Sequence, residues 1–152
     1  MIKVFQQRIE KGKGDCMQAA IASLFECTME ETPKFIEYSE GYFPPLYEFI
    51  KVRGYDLEGY LYPNTPIKEL SFDELKNCQG VNGFFYASVY SPKFNPDGHN
   101  SGTTHAVIVD KEGKVVHDPN PNYQDFKYPV TEKTNSQGII HIMLLEPIKS
   151  DE

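Results

Sequence analysis

Asp15-Cys16-Met17-Gln18-Ala19-Ala20-Ile21-Ala22-Ser23-Leu24-Phe25 decides the reading of this chain, because it places a thiol on the first turn of a helix predicted over Asp15 to Glu26. Gly12 and Gly14 interrupt the preceding extended segment, and Asp15 is placed to cap the helix through its carboxylate. Ala19, Ala20, Ala22 and Leu24 are strong helix formers. The unpaired N–H groups of a first helical turn favour a thiolate over a thiol, a recognised route to cysteine reactivity. A lone cysteine is more often a small buried hydrophobe, so the assignment needs partners.

The second half of the chain supplies them. Thr103-Thr104-His105-Ala106-Val107-Ile108-Val109-Asp110 reads as a strand that opens on a histidine, and Lys111-Glu112-Gly113-Lys114 as a hairpin turn. Val115-Val116-His117 is the return strand, which ends at Asp118-Pro119-Asn120-Pro121. Antiparallel pairing brings the start of the first strand, His105, beside the end of the second, Asp118. An imidazole that takes a thiol proton and a carboxylate that holds the ring in one tautomer are what a Cys-His-acid site requires. Asn120 and Asn122 are alternatives to Asp118 as the third member.

Together, Asp15-Cys16 opening an alanine-rich helix, His105 opening an apolar strand and Asp118-Pro119 closing the next resemble the papain-like cysteine peptidase superfamily in its minimal bacterial form. The nearest similarity is to bacteriocin-processing, double-glycine-type peptidase domains and to small bacterial and phage proteins with the same motifs. The resemblance spans roughly Val4 to Pro121 and is patchy between motifs. It implies an α+β fold in which an N-terminal helical part, carrying the nucleophile helix, packs on a C-terminal antiparallel sheet. It also implies Cys16 as nucleophile, His105 as base, Asp118 as orienting acid, and an upstream glutamine whose amide completes an oxyanion hole. Val4-Phe5-Gln6-Gln7 supplies two candidates, and Gln6 is preferred because it follows Val4-Phe5. Spacing to Cys16 is longer than in the double-glycine peptidases, with Lys11 to Gly14 inserted. No cofactor and no metal are implied, and a zinc site from Cys16, His105 and Asp118 lacks any Cys-x-x-Cys or His-x-x-x-His pair.

Composition sets outer bounds. At 152 residues the chain reads as one domain, 1–152, able to bury roughly two thirds of its unfolded surface without metal or disulfide. Cys16, Cys27 and Cys78 are an odd set with no close pair, which points to free thiols in a reducing compartment. Met1-Ile2-Lys3-Val4 shows no apolar signal region and no stretch approaches the length of a membrane span, so the expected location is cytoplasmic, away from membranes. A net charge of −7 argues against general nucleic-acid binding. Lys3, Arg8, Lys11 and Lys13 make the segment before Cys16 locally basic, although solvated loop charge explains them more simply.

The remaining elements follow from local signals. Ile2 to Ile9 reads as a strand, Thr32-Pro33 as the start of a second helix, and Pro45 to Arg53 as a third that stops at Gly54. Tyr55 to Tyr62 alternates like a strand, and Ser71-Phe72-Asp73-Glu74 opens a short helix to Cys78. Phe84 to Tyr90, His105 to Asp110, Val115 to His117 and Ile139 to Leu145 complete an antiparallel sheet, the last strand apolar on both faces and therefore central and covered. Ser91 to Thr104 is a long loop directly before His105, a common place for a binding loop. His99, His117 and His141 are not expected to serve as the base. Aromatic residues between Tyr38 and Tyr62 can line a groove, and core packing accounts for most of them. Three functions fit: a cysteine hydrolase acting on a peptide or other amide substrate, an acyltransferase sharing its thioester intermediate, or a binding module on the same scaffold, such as a phage protein that sequesters a host factor.

Overall fold

Three small alanines and one long apolar stripe make the first helix a central one. In the computed structural model, which describes residues 1–8, 14–62, 73–91, 104–123 and 127–149, α1 runs Cys16–Leu24, shorter than the expected span by one residue at its start and two at its end, and Gln18 to Leu24 are all buried. Alanine at 19, 20 and 22 lets both the sheet and the N-terminal segment come close to the helix backbone. The expected cap at Asp15 does not form. Its Oδ1 instead accepts from the backbone N–H groups of Gln7 at 2.9 Å and Arg8 at 3.0 Å. Two amides delivered by the chain's own start compete for the carboxylate more effectively than the helix amides do.

The expected strand over Ile2 to Ile9 is also corrected. Residues 1–8 are not assigned to a strand, and Ile9 lies outside the described residues. Ser23 Oγ accepts from Val4 N at 2.9 Å, the Ile2 amide donates to Ser23 O, and the Gln6 amide donates to Pro119 O at 2.9 Å. These partners alternate between a helix and a turn, so no ladder develops, yet the segment is pinned along its length.

Thr32-Pro33 does not open a helix. Thr28 and Glu31 make the reciprocal hydrogen bonds of a capping box, with Thr28 N donating to Glu31 Oε1 at 3.2 Å and Glu31 N to Thr28 Oγ1 at 3.2 Å, around a turn alone. Only a 3-10 turn, Phe35–Glu37, follows. Phe35 is buried against the core, which fixes that segment where a longer helix would carry it away.

Helix α2, Phe43–Lys51, starts two residues before Pro45, with proline in its first turn. It buries Leu46, Phe49 and Ile50, and Gly54 at φ +83 ends it, a conformation glycine adopts without strain. The strands are β1 (Tyr55–Leu61), β2 (Phe85–Tyr90), β3 (Thr104–Val109), β4 (Val115–His117) and β5 (Ile139–Pro147), with a short α3 (Asp73–Lys76) before β2. Ser71 and Phe72 of the expected capping box lie outside the described residues. All neighbours pair antiparallel in the order β1-β5-β2-β3-β4. The last strand is internal, as its apolar character suggested, although β2 holds the centre.

Register sorts the apolar side chains into two layers. Tyr86 faces Ile108 and Met143 across the strands, and these pack against Ile21, Leu24, Leu46 and Ile50 of the helices. Ala87 faces Val107 and Ile142, and with Phe85, Val89 and Ile139 these form a second layer that includes Leu75 of α3. Each fully buried side chain of this size stabilises the fold by about 1.5–3 kcal/mol. The architecture is α+β, with α1 against β3 and β2 on one face of the sheet.

Candidate active site

Where α1 begins, it points across the first layer toward the start of β3. Cys16 opens the helix, half-buried, and His105 is the second residue of β3, buried. Asp118 immediately follows β4 and is buried as well. His105 Nε2 lies 2.5 Å from Asp118 Oδ1, which leaves Nδ1 as the ring nitrogen for the thiol. The two strands pair Ile108 with His117 and Val109 with Val115, so the hairpin itself delivers this contact. Cys16 and His105 line one cavity of about 560 Å³, and the cysteine side chain is near enough to the ring to favour its protonated form. The structure therefore brings Cys16, His105 and Asp118 together.

The electrostatics favour a protonated ring. Burial alone pushes the His105 imidazole down, but hydrogen bonds to Asp118 and Cys16, with their charges, outweigh it and raise the group from 6.5 to about 9. Tyr123 packs edge-on against the ring with centroids 5.3 Å apart and fixes its plane. Asp118 is itself held on both oxygens. Asn120 N donates to Oδ1 at 2.8 Å, and the Tyr128 hydroxyl donates to Oδ2 at 2.8 Å.

Gln6 and Gln7 separate clearly. Gln6 is buried and lines the cavity, whereas Gln7 is exposed and engages the site only through its backbone. Gln6 Nε2 donates to Arg8 O at 2.8 Å, and its buried Oε1 has no partner among the described residues. The second N–H of that amide remains for another acceptor. Of the alternatives to Asp118, Asn120 is buried and donates its backbone N–H to Asp118, while Asn122 is exposed and donates its backbone N–H to Asn120 Oδ1.

The other histidines take different places. His117 Nε2 donates to Val4 O at 2.8 Å, its ring edge-on to Phe5. His141 lines the cavity and pairs with Ser88 Oγ at 3.1 Å. His99, Lys11 and Lys13 lie outside the described residues, as does most of the loop from Ser91 to Thr104. Among the described residues no three His, Cys, Asp or Glu side chains form a metal-ligand group. All three cysteines are free thiols. No helix is long and apolar enough to cross a membrane among the described residues.

Sequence reasoning missed Tyr128, Tyr123, Ser88 and His141. Tyr128 carries no local signal, and His141 becomes a cavity residue only through the β2-β5 register. No family model matches this chain, and no curated protein or solved structure matches it either.

Proposed function

We propose that this protein is a cysteine hydrolase of papain-like fold, acting in the cytoplasm on a peptide or other amide through an acyl-thioester at Cys16. The observation that carries the reading is a helix-opening cysteine beside a buried histidine whose far nitrogen is 2.5 Å from a buried carboxylate. Each group has a defined task. Cys16 Sγ attacks the carbonyl carbon as a thiolate, its proton already held on His105 Nδ1. The carbonyl oxygen becomes an oxyanion, which accepts from the Cys16 backbone N–H, unused by the helix ladder at its first residue, and from the Gln6 amide. Collapse breaks the C–N bond, and His105 returns the proton to the departing amine. His105 then deprotonates a water that attacks the thioester, which releases a carboxylic acid and restores the thiol.

Asp118 works through the ring, since it touches His105 and not the reacting carbonyl. A tetrapeptide coumarin-amide library tests the reading by coumarin release. Cys16→Ala and His105→Ala are expected to lower turnover by about a thousandfold or more, Gln6→Ala by about a hundredfold to a thousandfold, and Asp118→Ala by less than the first two. Undiminished cleavage by Cys16→Ala, or no release by the wild type from any member, overturns it.

A further inference from the structure

The cavity extends along the sheet beyond Cys16 and His105. Ser88 and His141 stand directly opposite one another on β2 and β5, with Ser88 Oγ 3.1 Å from His141 Nε2, and both line the cavity. Tyr86, two residues before Ser88 and on the same face of β2, lines the same cavity, as does Cys16. Thiol and Ser88-His141 pair are thus two points on one continuous wall. Resting on the reading of Cys16 as acyl acceptor, we infer that Ser88 and His141 form a specificity subsite for an uncharged, planar, hydrogen-bonding side chain of the substrate, a carboxamide or a phenol.

Three observations set that chemistry. First, the pair offers both hydrogen-bond senses: a hydroxyl that donates and accepts, and an imidazole whose Nδ1 is left after Nε2 meets Ser88. Burial pushes the His141 ring down, so it is neutral at neutral pH. Second, the surroundings are flat and aromatic. His141 lies edge-on to Tyr60 with centroids 5.3 Å apart and 5.7 Å from Tyr62, and the Tyr42 and Tyr60 hydroxyls hydrogen-bond each other. Third, free counter-charges are missing for an ionic side chain, because the His105 ring is already paired with Asp118. Among the described residues lining the cavity there is no lysine or arginine, and the single carboxylate, Asp15, is occupied by the Gln7 and Arg8 amides. A buried unpaired charge is costly, whereas a neutral amide that exchanges water for Ser88 and His141 is not.

Acetyl-X and acetyl-X-glycyl chloromethyl ketones, with X as Gln, Tyr, Lys or Glu, test the subsite. The readout is the rate of Cys16 alkylation by intact mass, expressed relative to the iodoacetamide rate of the same protein. In one of the two series Gln and Tyr are expected to react about tenfold or more faster than Lys and Glu. Ser88→Ala and His141→Phe remove that preference, and Ser88→Thr, which keeps the hydroxyl, retains it. Equal rates for charged and neutral reagents in both series, or an unchanged preference in Ser88→Ala and His141→Phe, overturns the inference. A Cys16 inert to every reagent, iodoacetamide included, sinks the nucleophile reading. The subsite is then decided by NMR of the His141 ring during titration with acetyl-glutamine amide, where a saturable shift absent in Ser88→Ala supports it and no shift overturns it.

Discussion

Asp118 receives hydrogen bonds from His105, the Asn120 amide and Tyr128, so its carboxylate is fixed before any substrate arrives. Two expectations follow at this scale. In Asp118→Asn the carboxylate that holds the His105 proton is gone while burial and Cys16 remain, so the ring's titration, followed by NMR, falls from about 9 toward the ordinary 6.5. A raised pKa in the folded state stabilises fully below 6.5 and is lost as pH rises through about 9. Wild-type stability therefore declines across that window more steeply than that of Asp118→Asn. Tyr128→Phe removes the Tyr128 hydroxyl as a donor to the buried Asp118 carboxylate and is expected to cost about 1–3 kcal/mol in denaturant unfolding. The thiols differ too. Burial, then Glu146, Glu58 and Glu74, push the Cys78 thiol up, and Cys27 is tied to Thr32 Oγ1 at 3.3 Å. Limiting iodoacetamide with peptide mapping should label Cys16 first; preferential labelling of Cys27 or Cys78 contradicts the assignment. Cys16, His105 and Asp118 were legible because each sits at the end of an element that local sequence defines. Tyr128 was not, because nothing near it in the chain announces a partner ten residues upstream.

Among the elements, those misread share one cause: a tertiary partner outbid the local signal. Asp15 has the residue type and position of a cap, yet it serves the Gln7 and Arg8 amides. Thr28 and Glu31 form a capping box that caps no helix, because the chain must turn to bury Phe35. The five strands of the sheet were read to within two residues at each end, since alternating apolar residues bounded by turns leave few choices, whereas the strand expected from Ile2 did not form among residues 1–8. The turn before β5 is built with equal care. Asn135 Oδ1 accepts from Gln137 N and Ile139 N, both at 2.9 Å, and Gly138 at φ +84 lies so close to Tyr128 that an added Cβ would sit 2.7 Å from the tyrosine Cβ. Gly138→Ala therefore strains the backbone and displaces Tyr128 from Asp118. It is expected to lower stability by about 1 kcal/mol or more in thermal unfolding, and to reduce any turnover that depends on Asp118. A variant as stable as wild type contradicts this.

For the whole molecule, two apolar layers around one sheet leave the chemistry in a cleft between α1 and the strands, and the N-terminal segment closes one side of it. His117 joins that segment to the sheet. Its ring is pushed down by burial, and Nδ1 has no partner among the described residues, so a second proton would be added to a buried, unmatched nitrogen. A lowered pKa in the folded state means stability that is present above 6.5 and lost as pH falls below it. Acid unfolding below 6.5 should be shallower in His117→Gln than in wild type. The sheet and the position of the thiol-imidazole pair were legible from the sequence. The shape of the cleft was not, because it depends on which strand lies beside which. The central claim is that Cys16 accepts an acyl group with His105 as its base. Brief exposure to p-nitrophenyl acetate, acid quenching, intact mass and peptide mapping test it directly. One acetyl group is expected, on Cys16, with the adduct strongly diminished in His105→Ala; an unacylated Cys16, or equal acylation without His105, contradicts the assignment.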